Sequence, residues 1–371
     1  MPFTALNRWL RRYLSDPQIV FLVSALLVLF TILLFLGRML APVLASIVIA
    51  YLLEGVVAML ERHRWPRLVA VIVVFVLFMV FVVSMVLGVL PSVWRQITDL
   101  LQQLPGMLAH GQQALMQLPE RYPELVSSEQ IAEVMGSIRR EIAGLGQKLL
   151  SLSVSSVVGV ITVLVYLILM PLLVFFFLKD KDLILGWFRS WLPRHRAVAG
   201  DVWHKVDRQF SNYVRGKVWE ILIVGVVSFV TFTLFGLNYA LLLSVLVGLS
   251  VIIPYVGASV VTVPVVLIAW FQWGWGPAFA WLTVSYLIIQ ALDGNVLVPL
   301  LFSEVVDLHP VAIIVAILIF GGIWGFWGVF FAIPLATLVQ AILTALPRHV
   351  EAHPGGLPDV GGAEADSGQS V

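Results

Sequence analysis

The 371-residue chain contains no cysteine and few charged residues, and both shortages exclude classes of protein. Without cysteine it forms neither disulfides nor thiolate metal sites. Charged residues make up 12% of the chain and hydrophobic residues 60%, whereas soluble domains carry about 25% charged residues. A water-soluble globule of this size cannot bury so much apolar surface, and a disordered chain would be more polar. The composition therefore predicts a polytopic membrane protein.

Motifs typical of enzymes and nucleic-acid-binding proteins are also missing. The net charge of +1 leaves no basic excess of the kind that binds nucleic acid. The chain has no P-loop, no H-E-x-x-H zinc motif and no G-x-S-x-G nucleophile motif, and its seven histidines lack metal-ligand spacing. We therefore predict a protein that is not an enzyme and uses no cofactor, which leaves transport or passive conduction.

Long charge-free runs predict the membrane-spanning helices, because about 20 apolar residues cross the hydrocarbon core. We predict an all-α membrane protein with about eight spans and a broken or re-entrant helix hairpin at 240–272. There the runs Ala240–Ile253 and Ser259–Gln272 are each too short to cross comfortably. The other predicted spans are Pro17–Gly37, Met39–Leu60, Leu68–Leu90, Leu149–Leu178, one with its core at Ile221–Phe235, and three after Ala278.

Lysine and arginine near the span ends predict the orientation. They place the N-terminus, 61–67 and 179–217 on the cytoplasmic side of the membrane, and the number of predicted crossings returns the C-terminus to the same side. The chain then divides into an N-terminal stub with three spans (1–90), an external amphipathic helical insert (91–148), a fourth span (149–178), cytoplasmic interfacial helices (179–217), a C-terminal transport core (218–347) and a disordered cytoplasmic tail (348–371).

Asp293 is the sharpest functional candidate, because it ends the charge-free run Ile221–Leu292. An ionisable residue costs at least ~2.5 kcal/mol at the bilayer centre and usually faces a cavity. Gly294 can break the helix there, and the neighbouring Asn295 adds an amide oxygen. We predict an oxygen-rich site for Na⁺ or a proton, with no other metal site. The alternative is that Asp293 lies in an aqueous loop and caps a helix.

The break in the hairpin supplies further candidates for the substrate or ion path. Pro254, Tyr255 and Gly257 either expose helix ends within the membrane or form an ordinary surface loop. Glu54 and Glu220 lie near predicted span ends and are interpreted as solvated interface residues.

A second polar cluster precedes the last apolar segment. Glu304 and His309 are candidates for the path, and Asp307 between them suits a helix N-cap. His309 is either a proton relay or pH sensor, or an interfacial residue. Gly321 and Gly325 have the G-x-x-x-G spacing that allows close helix packing.

Together these motifs resemble the autoinducer-2 exporter family. The resemblance rests on IPYVGA (253–258), DGN (293–295), LHP (308–310), FFFLKDKD (175–182) and FGGIWGFWGVFFAIPLA (320–336). It extends from about Tyr13 to Pro347. It implies a multi-span inner-membrane protein that forms homo-oligomers and carries out secondary transport. Members of that family are associated with export of autoinducer-2, and others with Na⁺(Li⁺)/H⁺ antiport.

Three functions remain open at this point. The first is a secondary transporter that exports a small polar solute, with autoinducer-2 as a candidate, driven by a H⁺ or Na⁺ gradient. The second is a Na⁺(Li⁺)/H⁺ antiporter in which Asp293 carries the ion. The third is a non-transporting membrane scaffold whose insert at 91–148 recruits an external partner. The expected partners are a small polar solute, a coupling cation, the lipid bilayer and further copies of the chain, without nucleic acid.

Overall fold

A computed structural model describes residues 17–116, 129, 131–141, 144, 157–190, 197–254, 256–302 and 308–340. These residues contain helices and no β-strand, which confirms the all-α prediction for this part of the chain. The helices discussed below are α1 (Pro17–Arg62), α2 (Arg67–Ser84), α3 (Leu90–Met116), α4 (Val157–Lys179), α5 (Lys181–Ser190), α6 (Ala197–Phe235), α7 (Ala240–Ser250), α8 (Val256–Trp273), α9 (Pro277–Leu292), α10 (Val298–Phe302), α11 (Pro310–Trp324) and α12 (Phe326–Phe330). Residues 131–141 and 332–340 are helical as well. Two π-helical turns, Met85–Val89 and Asp293–Leu297, join α2 to α3 and α9 to α10.

Several helices in the described residues are long and apolar enough to cross a membrane. Five segments meet that description: Met39–Arg62, Arg67–Gln113, Asp207–Phe235, Val256–Trp273 and Pro277–Phe302. Shorter apolar helices cover Val165–Lys179, Ala240–Ser250 and Pro310–Trp324. Large apolar side chains such as Leu77, Leu234 and Leu300 are exposed on these helices, as expected where a helix faces lipid rather than water. The chain is therefore a multi-pass helical membrane protein.

Two predicted boundaries are absent from the structure. The predicted division into spans at Pro17–Gly37 and Met39–Leu60 is wrong here, because α1 is one helix of 46 residues. A single arginine between the two runs does not end a helix, since arginine itself favours helical backbone. The predicted insert also begins inside a helix, because α2, the π-turn and α3 follow one another without a break.

The C-terminal core is built on α6, the helix to which α7 returns. The chain reverses through Gly236 and Tyr239, whose φ angles of 71° and 60° are left-handed, and α7 then packs against α6. A Cβ at Gly248 would lie 2.9 Å from the Ile221 carbonyl oxygen and 3.1 Å from the Gly225 Cα. Glycine at this position lets the two helix backbones touch.

Helices α7 and α8 form a hairpin whose two ends meet. The Gln272 side chain donates a hydrogen bond to the Gly236 carbonyl at 2.8 Å and accepts one from the Asn238 amide at 2.8 Å. The start of α7 and the end of α8 therefore lie together, and we call this end the hairpin base. The hairpin tip, residues 251–254, lies at the far end. A Cβ on Gly257 would collide with the Ser250 carbonyl, so only glycine fits beside the tip.

Helix α3 covers the hairpin base. The Gln96 side-chain oxygen accepts a hydrogen bond from the Leu242 amide at 2.8 Å, which caps the first turn of α7 from outside. Leu100, one turn further along α3, packs against the buried cluster formed by α6, α7, α8 and α9. The first half of the segment predicted as an external insert is therefore bound to the core.

Helices α11 and α12 form a second reversal, which the predicted packing glycines shape. Gly325 has a left-handed φ of 59° and separates the two helices. A Cβ on Gly321 would lie 2.8 Å from Val329 Cγ2, so the helices approach closely at that point. The Tyr213 hydroxyl donates to the Phe330 carbonyl at 3.1 Å and ties this reversal to α6.

Candidate ion and substrate site

A buried ion pair lies on α6 where the hairpin tip reaches it. Lys217 Nζ is 2.6 Å from Glu220 Oε2, and the two side chains are 5% and 3% exposed. Their spacing of three residues places them on the same face of the helix. Burying two charges is costly even when they pair, so this pair needs an explanation beyond helix stability.

The Lys217 ammonium has a second partner at the hairpin tip. It donates a hydrogen bond to the Val251 carbonyl oxygen at 2.9 Å. Val251 follows the last residue of α7, where the carbonyl groups carry the negative end of the helix dipole. The same ammonium therefore links α6 to the tip and neutralises the Glu220 carboxylate.

An aromatic ring closes the other side of Lys217. The Phe302 ring centroid lies 5.1 Å from Lys217 Nζ, within cation–π range. A Cβ on Gly216 would lie 2.8 Å from Phe302 Cε1, so the glycine makes room for the ring against α6. Lys217 thus sits between a carboxylate, a backbone carbonyl and an aromatic face.

Asp293 reaches the same region from the π-helical turn between α9 and α10. It is close enough to interact electrostatically with both Lys217 and Glu220. Glu220 lies about 22 Å along α6 from Phe235, and Asp293 about 24 Å along α9 from Pro277, so both carboxylates sit at a similar depth. Asp293 Oδ1 is buried and accepts no hydrogen bond from any residue that the structure describes. Asp293 therefore differs from Glu220, whose carboxylate lies against the Lys217 ammonium.

Asp293 is the first residue of the π-helical turn, and its Oδ1 atom is buried although the residue is half-buried as a whole. A π-turn inserts one extra residue into a helix and rotates the side chains that follow, and such turns occur often at functional sites. Asn295 donates its amide to the Ala291 carbonyl at 2.8 Å, along its own helix and on an exposed face. The Asp293 and Asn295 side chains therefore have different surroundings.

A chain of hydrogen bonds connects α9 to α8 about one helical turn from Asp293. Gln290 Nε2 donates to the Tyr286 hydroxyl at 3.0 Å, and the Tyr286 and Thr262 hydroxyls lie 3.1 Å apart. Thr262 donates to the Ala258 carbonyl at 2.7 Å, so the Tyr286 hydroxyl is the donor to Thr262. Gln290 lies one turn before Asp293. This chain therefore joins the helix that carries Asp293 to the helix that leaves the hairpin tip.

The charges of the cluster favour a cation. Lys217 supplies one positive charge, and Glu220 and Asp293 supply two negative charges when ionised. A net negative charge in apolar surroundings is best compensated by a monovalent cation or a proton. We refer to Lys217, Glu220 and Asp293 below as the charged cluster.

The structure places the remaining predicted residues in several environments. Pro254 lies half-buried at the hairpin tip and Gly257 lies buried beside it, close to the charged cluster. Gly294 is exposed, with nothing within 4 Å of an added Cβ. His309 is exposed and caps α11 by accepting a hydrogen bond from the Val311 amide at 3.3 Å. Tyr255, Glu304 and Asp307 lie outside the described residues.

Sequence reasoning missed the ion pair on α6. Glu220 was expected at a solvated interface, but its side chain is almost fully buried. Glu220 directly precedes the charge-free run, and the end of such a run was taken as the end of the span. In the structure α6 continues as one helix on both sides of the pair. The available signal was the Lys217–Glu220 spacing of three residues directly before the apolar run.

Glu54 was also expected to be solvated, and its surroundings differ from that. Its side chain is 15% exposed, and Oε1 of its carboxylate lies 2.9 Å from Lys181 Nζ and 3.4 Å from Arg67 Nη1. Arg67 additionally contacts Glu61 at 3.1 Å and donates to the Leu178 carbonyl at 2.9 Å. This network fastens α1, α2 and α4 together at the end of the molecule away from the hairpin base.

Comparison with known proteins agrees with a membrane transporter. The model of the AI-2E family transporters matches residues 22–348. Since this match covers most of the chain, the protein belongs to the AI-2E family of transporters, and the family resemblance seen in its motifs is confirmed.

The relatives in this family include one of high identity. The protein named "Putative permease PerM" of Escherichia coli strain K12 is 48% identical over 346 residues, which are 92% of this chain and 97% of the relative. "Putative transport protein YrrI" of Bacillus subtilis is 27% identical over 318 residues, 81% of this chain and 85% of the relative. "AI-2 transport protein TqsA" of Escherichia coli strain K12 is 22% identical over 330 residues, 89% of this chain and 92% of the relative. The chain is thus similar along its length to permeases and transport proteins.

Proposed function

We propose that the protein is a secondary transporter of the inner membrane that exports a small polar solute, driven by a H⁺ or Na⁺ gradient. The observation that carries this proposal is the charged cluster, which combines a buried ion pair with a carboxylate oxygen that has no hydrogen-bond donor among the described residues. Charged groups inside a membrane protein usually mark an ion or substrate path. Autoinducer-2 is the candidate solute, because a relative carries the name of an AI-2 transport protein.

In this proposal the coupling cation binds between Glu220 and Asp293. The α7–α8 hairpin enters the bilayer from outside and returns to the same side, since Gln272 holds its two ends together. Its tip then lies within the membrane beside the charged cluster, as in transporters whose broken helices form the ion site. Movement of the tip opens and closes the solute path. Both termini lie in the cytoplasm, and the chain forms homo-oligomers.

The second candidate function is Na⁺(Li⁺)/H⁺ antiport through the same cluster. It is favoured by the net negative charge of Lys217, Glu220 and Asp293, which suits exchange of one cation for another. A scaffold function is less well supported, because α3 is bound into the hairpin base through Gln96 and Leu100 rather than free to recruit a partner.

Ion-driven flux in proteoliposomes tests these alternatives. Purified protein is reconstituted, a pH or Na⁺ gradient is imposed, and its dissipation is followed with an internal pH dye and an internal Na⁺ dye, with and without added solute. Dissipation that requires solute supports coupled solute export. Dissipation without solute supports the antiporter. No dissipation under any condition, in vesicles that contain correctly folded protein, would contradict both.

A further inference from the structure

We propose that Lys217 is a tethered internal cation, which an incoming monovalent cation displaces from Glu220, so that the Val251 carbonyl is released and the α7–α8 hairpin is freed to move. This inference rests on the proposed function and adds the step that couples cation binding to the movement of the hairpin.

The first argument is competition for one carboxylate. Lys217 Nζ occupies Glu220 Oε2 at 2.6 Å, which is the place an added cation would take. Asp293 supplies a second carboxylate from the opposite helix, with Oδ1 buried and without a hydrogen bond from the described residues. A Na⁺ ion or a proton that binds between the carboxylates reduces their attraction for the ammonium. Lys217 then loses the partner that keeps its charge in place.

The second argument is that Lys217 bonds to the part of the chain that would move. Its ammonium donates to the Val251 carbonyl at 2.9 Å, at the end of α7. The backbone hydrogen bonds of the described tip residues are local, such as Ile253 N to Ser250 O at 3.0 Å and Gly257 N to Ile253 O at 2.9 Å. The apolar side chains of Val251 and Ile252 are buried as well, but such contacts are non-directional and do not depend on a cation. Lys217 therefore makes a long-range hydrogen bond between α6 and the tip. When the ammonium leaves the Val251 carbonyl, that restraint on the tip is lost.

The third argument is that the hairpin is held firmly at its base. Gln272 clamps the Gly236–Asn238 turn, and Gln96 caps α7. With the base fixed, release at Val251 produces movement at the tip rather than separation of the whole hairpin. A salt bridge with a merely structural role would hold the tip equally at every cation concentration, and this difference can be measured.

Amide hydrogen exchange of residues 251–257 in detergent-solubilised full-length protein provides the test. Two arms distinguish the cation: Na⁺ is titrated against N-methyl-D-glucamine at constant pH, and pH is lowered without Na⁺, with correction for intrinsic exchange. The titratable groups that face Lys217 from the described helices are Glu220 and Asp293, with Tyr213 one turn away on α6. We expect one of the two cations to raise tip exchange by about fivefold or more, as for an ordinary coupling between sites.

Lys217→Met removes the tethered cation and is the decisive variant. We expect its tip exchange to be raised already without added cation and to respond to neither arm. Lys179→Met, which removes an exposed lysine, is the matched control and should behave as wild type. Because Lys217→Met leaves Glu220 buried without its partner, the double variant Lys217→Met/Glu220→Gln serves if the single variant does not fold, with the same raised exchange expected.

The outcomes separate this inference from the proposed function. Tip exchange that responds to neither cation in wild type, or that stays low and cation-dependent without Lys217, would overturn the displacement. If wild-type vesicles transport while either of these results holds, only the displacement is lost. If the tip responds as expected but no flux occurs under any gradient, the proposed function is lost and the displacement stands.

Discussion

Lys217 Nζ and Glu220 Oε2 lie 2.6 Å apart inside a helix bundle whose neighbouring segments are almost free of charge. Burial of such a pair in soluble proteins is often no more stable than an apolar replacement, whereas loss of one partner is strongly destabilising. Removal of one partner should therefore destabilise the protein, whereas apolar replacement of both should not. This difference separates the contribution of the pair to stability from its contribution to transport.

The first prediction compares a single substitution with a double substitution of this pair. Glu220→Ala should lower the free energy of unfolding by about 3–5 kcal/mol, because it leaves the Lys217 charge buried without its carboxylate. Lys217→Met/Glu220→Leu should recover most of that stability, since no buried charge then remains on α6. Thermal unfolding in detergent measures both. A double variant as unstable as Glu220→Ala would show that the pair stabilises the fold in some other way.

The double variant should still fail in transport. Its cluster retains Asp293 alone, so ion coupling is lost while the protein stays folded. Retention of wild-type ion-driven flux by a stable Lys217→Met/Glu220→Leu protein would remove the pair from the mechanism.

The second prediction concerns two glycines, Gly257 beside the hairpin tip and Gly294 beside Asp293. Gly257→Ala should abolish transport and lower the folded yield, because its Cβ collides with the Ser250 carbonyl, which is backbone and cannot rotate away. Gly294→Ala is the matched control beside Asp293. It has open space around its Cβ, and alanine favours helix by up to about 1 kcal/mol over glycine.

Size-exclusion profiles and flux of both variants check this. Wild-type flux from Gly257→Ala would show that the hairpin tip adjusts without loss. Loss of flux from Gly294→Ala would show instead that this glycine has a role beyond the space around it.

The fold class and one residue of the charged cluster, Asp293, could be predicted from the sequence alone. Composition and charge-free runs determine the membrane class, since few other structures tolerate them. Asp293 was recognisable because a carboxylate after a long apolar run stands out by position. Lys217 and Glu220 were not, because a charge at the edge of such a run looks the same whether it faces water or a neighbouring helix.

The continuity of helices and the hydrogen bonds between them could not be predicted from the sequence for a related reason. Whether Arg38 ends a helix depends on packing and on the bilayer rather than on local preference, and α1 continues through it. The Gln272 clamp and the Lys217–Val251 bond join residues that are 34 or 36 positions apart in the chain. A polar side chain in an apolar run indicates that some partner exists but does not identify it.

The third prediction concerns the direction of the α7–α8 hairpin. The chain contains no native cysteine, so single-cysteine variants carry no background thiol. Asn238→Cys and Trp275→Cys should react with an impermeant maleimide from the same side of the membrane, because Gln272 holds these two ends together. His63→Cys should react only from the opposite side, since the Arg67 network lies at the other end of the molecule.

Labelling of intact and of permeabilised cells measures the sidedness of each position. Reaction of Asn238→Cys and Trp275→Cys from opposite sides would show that α7 and α8 together cross the bilayer, which contradicts a re-entrant hairpin. Reaction of all three positions from one side would contradict the orientation of α6.

The coupling role of the charged cluster is tested most directly by ion-driven flux in proteoliposomes. The proteins compared are wild type, Asp293→Asn and Asp182→Asn. Asp293→Asn keeps the size of the side chain but removes the charge from the π-turn, whereas Asp182→Asn neutralises an exposed aspartate on α5. We expect Asp293→Asn to fold normally and to lose gradient-driven flux at every pH, and Asp182→Asn to match wild type. Wild-type flux through Asp293→Asn across the whole pH range would contradict a coupling role for the charged cluster.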